Sequence, residues 1–164
     1  MRVNWLTNWV LTGLLFGMTT ITASLHELVH AMDAYADREL VRRFGADRNL
    51  LEFLAPLVGG PMDVTRLAGS LNLTKAAVSK RAPRLEQEGW LTASADPGHG
   101  RRVVLTLTAR GQEFVRKAGG SLNQRFQALL EEVLIDPEDF HAQLRTLVDA
   151  VRALDADALA GVRS

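Results

Sequence analysis

From Leu25 to Phe44 the apolar residues Leu25, Leu28, Val29, Met32, Tyr35, Ala36, Leu40, Val41 and Phe44 recur at spacings of three and four. That period predicts an amphipathic helix, with Gly45 as its stop. Asp47 is placed to cap a second helix running through Leu57, whose broad apolar face is Leu50, Leu51, Phe53, Leu54 and Leu57. Gly59-Gly60-Pro61 ends that element. Asp63 then caps a short helix, Val64 to Leu71, with Leu67, Ala68 and Leu71 inward. Asn72 tolerates the left-handed backbone that a tight turn needs. Thr74 caps the next helix, Lys75 to Glu88, and Gly89 closes it.

The period changes at Trp90. Trp90 to Ala95 predicts a strand and Asp96-Pro97-Gly98-His99-Gly100 a turn. Arg102 to Thr108 alternates, with Val103, Leu105 and Leu107 on one face, so it predicts the return strand. A further helix begins near Thr108, is weakened by Gly119-Gly120 and resumes through Leu134. Asp136-Pro137-Glu138-Asp139 starts the last helix with a capping aspartate, a proline at the first position and acids at the positive end of the dipole. That helix carries Phe140, Leu144, Leu147, Val148, Val151 and Leu154. The predicted fold class is mainly α with a small β wing.

The N-terminal stretch reads differently. Val3 to Leu25 holds no charged residue, which suggests a signal peptide or a membrane helix. It is studded with Asn4, Thr7, Asn8, Thr12, Thr19, Thr20, Thr22 and Ser24, and its strongly apolar part, Trp9 to Met18, falls well short of the roughly 20 residues a bilayer span needs. Two other readings stand beside that one: a helix buried on the core or in a dimer interface, or a true start at Met18 with residues 1–17 as an apolar extension foreign to the fold. The expectation is no membrane and a cytoplasmic chain.

Charge sharpens the middle of the chain. The 164 residues balance to a net charge of zero. Residues 75–117, however, carry nine basic against four acidic side chains, and residues 118–164 carry four against eight. The local block is what a phosphate meets, because exposed charges are screened beyond about 10 Å. There is no cysteine, which excludes disulfides, thiolate zinc sites and thiol catalysis.

Two short helices, a turn at 72–74 and a basic hairpin over 90–108 have the order and lengths of a winged helix-turn-helix, whose second helix enters the DNA major groove. Val78, Ala82 and Leu85 form the inward stripe of that helix. Lys75, Ala76, Ser79 and Lys80 lie on the other side, in the first two turns, where the helix N-terminus favours anions. Ala76 or Ala77 suits a thymine methyl, and Lys75 or Lys80 a guanine edge or a phosphate. Thr74 is counted among the DNA-binding residues, Arg81 and Arg84 are expected at phosphates, and Arg101 and Arg102 at the backbone or minor groove. Pro83 lies inside this helix and removes the bond to the Ser79 carbonyl, which predicts a kink.

The stretch Met62-Asp-Val-Thr-Arg-Leu-Ala-Gly-Ser-Leu-Asn-Leu-Thr-Lys-Ala-Ala-Val-Ser-Lys80, with Arg84-Leu-Glu-Gln-Glu-Gly-Trp-Leu91, Asp96-Pro-Gly-His-Gly-Arg-Arg102 and Leu105-Thr-Leu-Thr-Ala-Arg-Gly111, resembles the MarR family. The resemblance covers about Leu25 to Leu154 and is specific over 62–111. It implies a winged helix over 62–111 and a helical dimerisation region over 18–57 and 112–160. It further implies a homodimer on double-stranded DNA that reads an inverted repeat. Such a regulator would be a repressor released by a small, often aromatic, effector, with no enzyme activity and no cofactor. Arg101 falls on the family's wing-tip arginine. His99 replaces the aspartate that commonly steadies it, with Asp96 as a substitute.

One rival motif remains. His26-Glu27-Leu28-Val29-His30 matches H-E-x-x-H, which puts two imidazoles one helical turn apart beside a carboxylate. It points to a zinc-dependent hydrolase, to a zinc-responsive regulator, or to two polar histidines on a helix wall. A third ligand is needed and nothing downstream announces one; Asp33, Asp37 and Glu39 are candidates only in the loosest sense. Trp90 is expected in the core, and Phe44, Phe53 and Phe126 in the core or lining a pocket.

Overall fold

The computed structural model describes residues 20–96 and 99–161. The proposed extension 1–17 lies outside them. The chain divides between Gly119 and Gly120 into two compact units.

In the first unit, α1 (Ile21–Phe44) starts before the apolar repeat does. Thr20 caps it, its hydroxyl accepting the Ala23 N–H at 3.2 Å. Gly45 ends it in the left-handed region, φ 61°. Asp47 caps α2 (Arg48–Leu54) by accepting the Leu50 N–H at 2.7 Å. The helix expected through Leu57 is α-helical only to Leu54 and continues as a 3-10 turn, Ala55–Gly59. Pro56 has no N–H to give the carbonyl four residues back, so the tighter turn takes over. Leu50, Phe53, Leu54 and Leu57 are buried as expected.

Asp63 caps α3 (Val64–Ser70), and Asn72, φ 53°, makes the turn to α4 (Lys75–Gln87). Pro83 does not end α4, which runs one further turn beyond it. Gly89, φ 76°, closes the helix.

The sheet holds β1 (Met62–Asp63), β2 (Leu91–Asp96) and β3 (His99–Leu107) in the antiparallel order β1-β3-β2. β1 was not expected from the sequence: two residues are too few to show an alternation. It pairs Met62 with Leu105 and Asp63 with Val104. Along β3, Leu105 and Leu107 are buried, but Val103 on the same face is 46% exposed, because the hairpin there has run past the core. The register slips at Ala95/Asp96, where the hairpin leaves its regular pairing. Leu40, Phe53, Leu54, Leu67, Val78, Leu91 and Leu105 form the innermost core.

α5 (Ala109–Glu132) leaves the sheet through a tight junction. The Thr108 hydroxyl donates to the Gly89 carbonyl at 2.7 Å and accepts the Gly111 N–H at 3.1 Å. Gly111 lies so close that a Cβ there would collide with the Trp90 carbonyl and press on Leu107. α5 is unbroken across Gly119-Gly120, so the expected weakening does not interrupt the helix.

In the second unit, the end of α5 turns at Leu134 into α6 (Pro137–Gly161). Asp136 caps α6, accepting the Asp139 N–H at 2.8 Å. Phe126 and Phe140 meet with ring centroids 6.4 Å apart. The turn places Leu134 in the left-handed region, φ 61°, with its side chain 94% exposed.

Two stability changes follow, both measurable by urea unfolding at fixed protein concentration. Gly111→Ala forces backbone against side chain and should cost about 1–3 kcal/mol. Leu134→Gly removes a left-handed non-glycine residue and should gain about 1 kcal/mol.

Candidate nucleic-acid interface

α4 is held by one side only. Val78, Ala82 and Leu85 are buried, while Lys75, Ala76, Ala77, Ser79, Lys80, Pro83 and Arg84 are exposed. The Thr74 hydroxyl caps the helix, accepting the Ala77 N–H at 3.1 Å, and its own hydrogen stays available to an outside acceptor. Neither Lys75 nor Lys80 pairs with a carboxylate among the described residues. The first two turns of α4 therefore present short side chains between two free ammonium groups.

The arginines behave differently from one another. Arg81 is half-buried: its Nη2 donates to the Asn49 carbonyl at 2.9 Å, and its guanidinium lies 4.8 Å from the Phe53 ring centre. It ties α4 to α2. Arg84 donates to Glu88 at 2.7 Å. This contact holds the Glu88 carboxyl below the usual carboxylate range, opposed by partial burial. Sequence periodicity put Arg81 and Arg84 near phosphate; it could not see the partners of Arg81, because Asn49 and Phe53 lie about thirty residues away and become neighbours only by folding, whereas Glu88 lies one helical turn from Arg84. Between α2 and α4 lies an open groove of about 720 Å³, walled by Asp47, Asn49, Lys80, Arg81, Arg84 and Glu88.

Arg110 is a residue that pattern reading gave no role. It donates to the Glu88 carbonyl at 2.6 Å and covers Trp90 at 3.9 Å from the ring centre. Trp90 in turn packs on Phe114, and Phe114 on Phe44. Trp90 and Phe44 thus belong to the core junction beneath the wing. Glu86 accepts the Ala93 N–H at 2.8 Å, which fastens β2 to α4.

On the wing, Arg102 is exposed on β3 and its charge reaches Asp63. The Asp63 carboxyl is held below its ordinary value chiefly by the Arg66 N–H, then by lesser contacts including Arg102. A lowered carboxylate pKa means the cap's contribution is present at neutral pH and is lost as the pH falls through that lowered value. The side chains of Asp96, His99 and Arg101, and with them the expected wing-tip contacts, lie outside the described residues.

The H-E-x-x-H motif folds as its spacing requires. His26 and His30 bring their Nε2 atoms to 2.9 Å on α1. The three candidate third ligands are engaged elsewhere: Asp33 and Asp37 by Arg48, and Glu39 by Arg42 and Arg43. Among the described residues no group of three metal-ligating side chains forms. Nor is any described helix long and apolar enough to cross a membrane.

Residues 59–103 match the family model described as MarR family. That segment spans most of the winged helix, which is therefore similar to the MarR family there. The fold likeness of the chain to MarR-type regulators extends well beyond that segment. NadR in complex with 4-hydroxyphenylacetate aligns with a TM-score of 0.66 at 20% identity, over 82% of this chain and 93% of that one. The S. aureus MepR–DNA complex aligns at 0.66 and 20% identity, over 83% and 99%. A MarR/EmrR family transcriptional regulator from Acinetobacter sp. ADP1 aligns at 0.66 and 24% identity, over 83% and 94%. No curated protein matches the chain.

The placement of Arg81 separates two roles. If it serves mainly to hold α4 on α2, Arg81→Ala should destabilise the fold by about 1 kcal/mol, the scale of one hydrogen bond and one cation–π contact. Urea unfolding reads this directly, and an unchanged midpoint returns Arg81 to the phosphate contacts.

Proposed function

We propose that the chain is a sequence-specific regulator of transcription that binds double-stranded DNA as a homodimer. The observation that carries this reading is the outward side of α4. It combines a capped, anion-favouring helix start with the short side chains Ala76 and Ser79 and the free ammonium groups of Lys75 and Lys80, on a winged helix similar to the MarR family. In this reading Lys75, Ala76, Ser79 and Lys80 approach base edges. Thr74, Arg84 and Arg102 meet backbone, with Arg101 at the wing tip and Arg81 as a positioning residue.

The dimer reading is supported by exposed apolar side chains on the long helices. Ile21, Leu25, Val29 and Met32 stand out along α1, and Leu147, Val148, Val151 and Leu154 along α6. A single chain leaves them in water, and a symmetric partner would cover them. Two α4 helices about one DNA turn apart, roughly 34 Å, would read an inverted repeat. The fold neighbour MepR is captured with DNA and NadR with 4-hydroxyphenylacetate. By analogy, this chain acts in the cytoplasm as a repressor released by a small aromatic effector.

Binding to a duplex from the chain's own upstream region, followed by fluorescence anisotropy across a salt series, tests the reading. Arg102→Ala and Arg101→Ala should each weaken binding and flatten the log–log salt slope by about one if each neutralises one phosphate. A slope unchanged in either variant removes that residue from the backbone contacts. The parent's failure to bind any duplex removes the reading itself.

A further inference from the structure

His26 and His30 stand one turn apart on α1, so helical geometry alone puts them on one face. Their rings meet edge to face, 89° between planes, with centroids 4.3 Å apart and Nε2 atoms 2.9 Å apart. His30 is exposed and His26 half-buried, so the nitrogens are open to solvent ions. An ion about 2.0–2.1 Å from each nitrogen would see the pair at about 90°, the angle between neighbouring positions of a square or an octahedron. To bind it, the donor ring shifts its hydrogen from Nε2 to Nδ1 and both rings turn their Nε2 lone pairs toward a shared point.

The surroundings define what such a site can be. Glu27 follows His26 directly and so lies about 100° around the helix from it. Asp33 is the next acid on the histidine face, and Arg48 holds it at 3.5 Å. No third protein ligand joins the pair among the described residues. Two neutral imidazoles with no carboxylate select against oxygen-seeking magnesium and calcium and for late first-row ions.

We propose that His26 and His30 form a two-imidazole chelating site on α1 for a late divalent transition ion, copper(II) above nickel(II) and zinc(II). Binding replaces the N–H···N bond between the rings: the donor ring moves its hydrogen to Nδ1 and both Nε2 atoms face the ion. The site is independent of the DNA-binding reading and stands or falls without it.

The test uses the full chain, free of any affinity tag and stripped with a chelator. It is titrated with copper(II) chloride and followed by visible absorption and electron paramagnetic resonance, with nickel(II) and magnesium(II) titrations in parallel. The expected result is one copper per chain with imidazole-nitrogen coupling, weaker uptake of nickel and none of magnesium. His26→Gln and His30→Gln should each weaken copper binding at least about tenfold, the scale on which losing even an outer-shell partner acts, while His141→Gln should not. Circular dichroism verifies that the variants stay folded. Copper uptake with unchanged affinity and spectrum in the double variant His26→Gln/His30→Gln, or no copper uptake by the parent, overturns the proposal.

Discussion

The burial of Val78, Ala82 and Leu85 is the constraint on which the rest of this molecule depends. A thirteen-residue helix with one apolar stripe can face the core in only one way, and that choice decides which side chains are left outside. Here it leaves Ala76, Ser79 and two lysines at the N-terminal end, where the backbone N–H groups already favour an anion. The hydrophobic effect orients the helix, and the polar side inherits its chemistry as a consequence.

The other contacts around α4 keep that orientation from drifting. Arg81 reaches back to Asn49 and Phe53 on α2, and Glu86 reaches across to β2. At the far end, Gly89 turns the chain, Thr108 bonds to it, and Gly111 lets α5 start against the Trp90 carbonyl. These bonds join α2, α4, the hairpin and the start of α5. A displacement at α2 or at the α5 junction therefore has a short physical path to the outward face of α4. The groove between α2 and α4 lies on that path.

Much of this was legible in the residues. Asp47, Asp63, Thr74 and Asp136 cap the helices they were expected to cap, since a short polar side chain before an apolar period serves little else. The basic hairpin and the inward stripe were equally plain. What the pattern hid was tertiary. β1 is too short to alternate, and Pro56 converts a predicted α-helical turn to a 3-10 turn through one missing N–H. The partners of Arg81 and Arg110 lie far away in sequence. Pro83 was expected to kink α4; its ring lies on the exposed side, and the helix accommodates it for a further turn. The histidine motif was legible as a spacing, and the structure adds that its third ligands are already taken.

The central claim is that the outward side of α4 reads bases. Repeated selection of random-sequence duplexes by the full chain tests it most directly, with the parent and a Ser79→Asn variant run side by side. The account predicts that the parent enriches an inverted repeat and that Ser79→Asn changes the preferred base at symmetric positions of the two half-sites while leaving the others alone. No enrichment by the parent, or the same motif from both proteins, would contradict it.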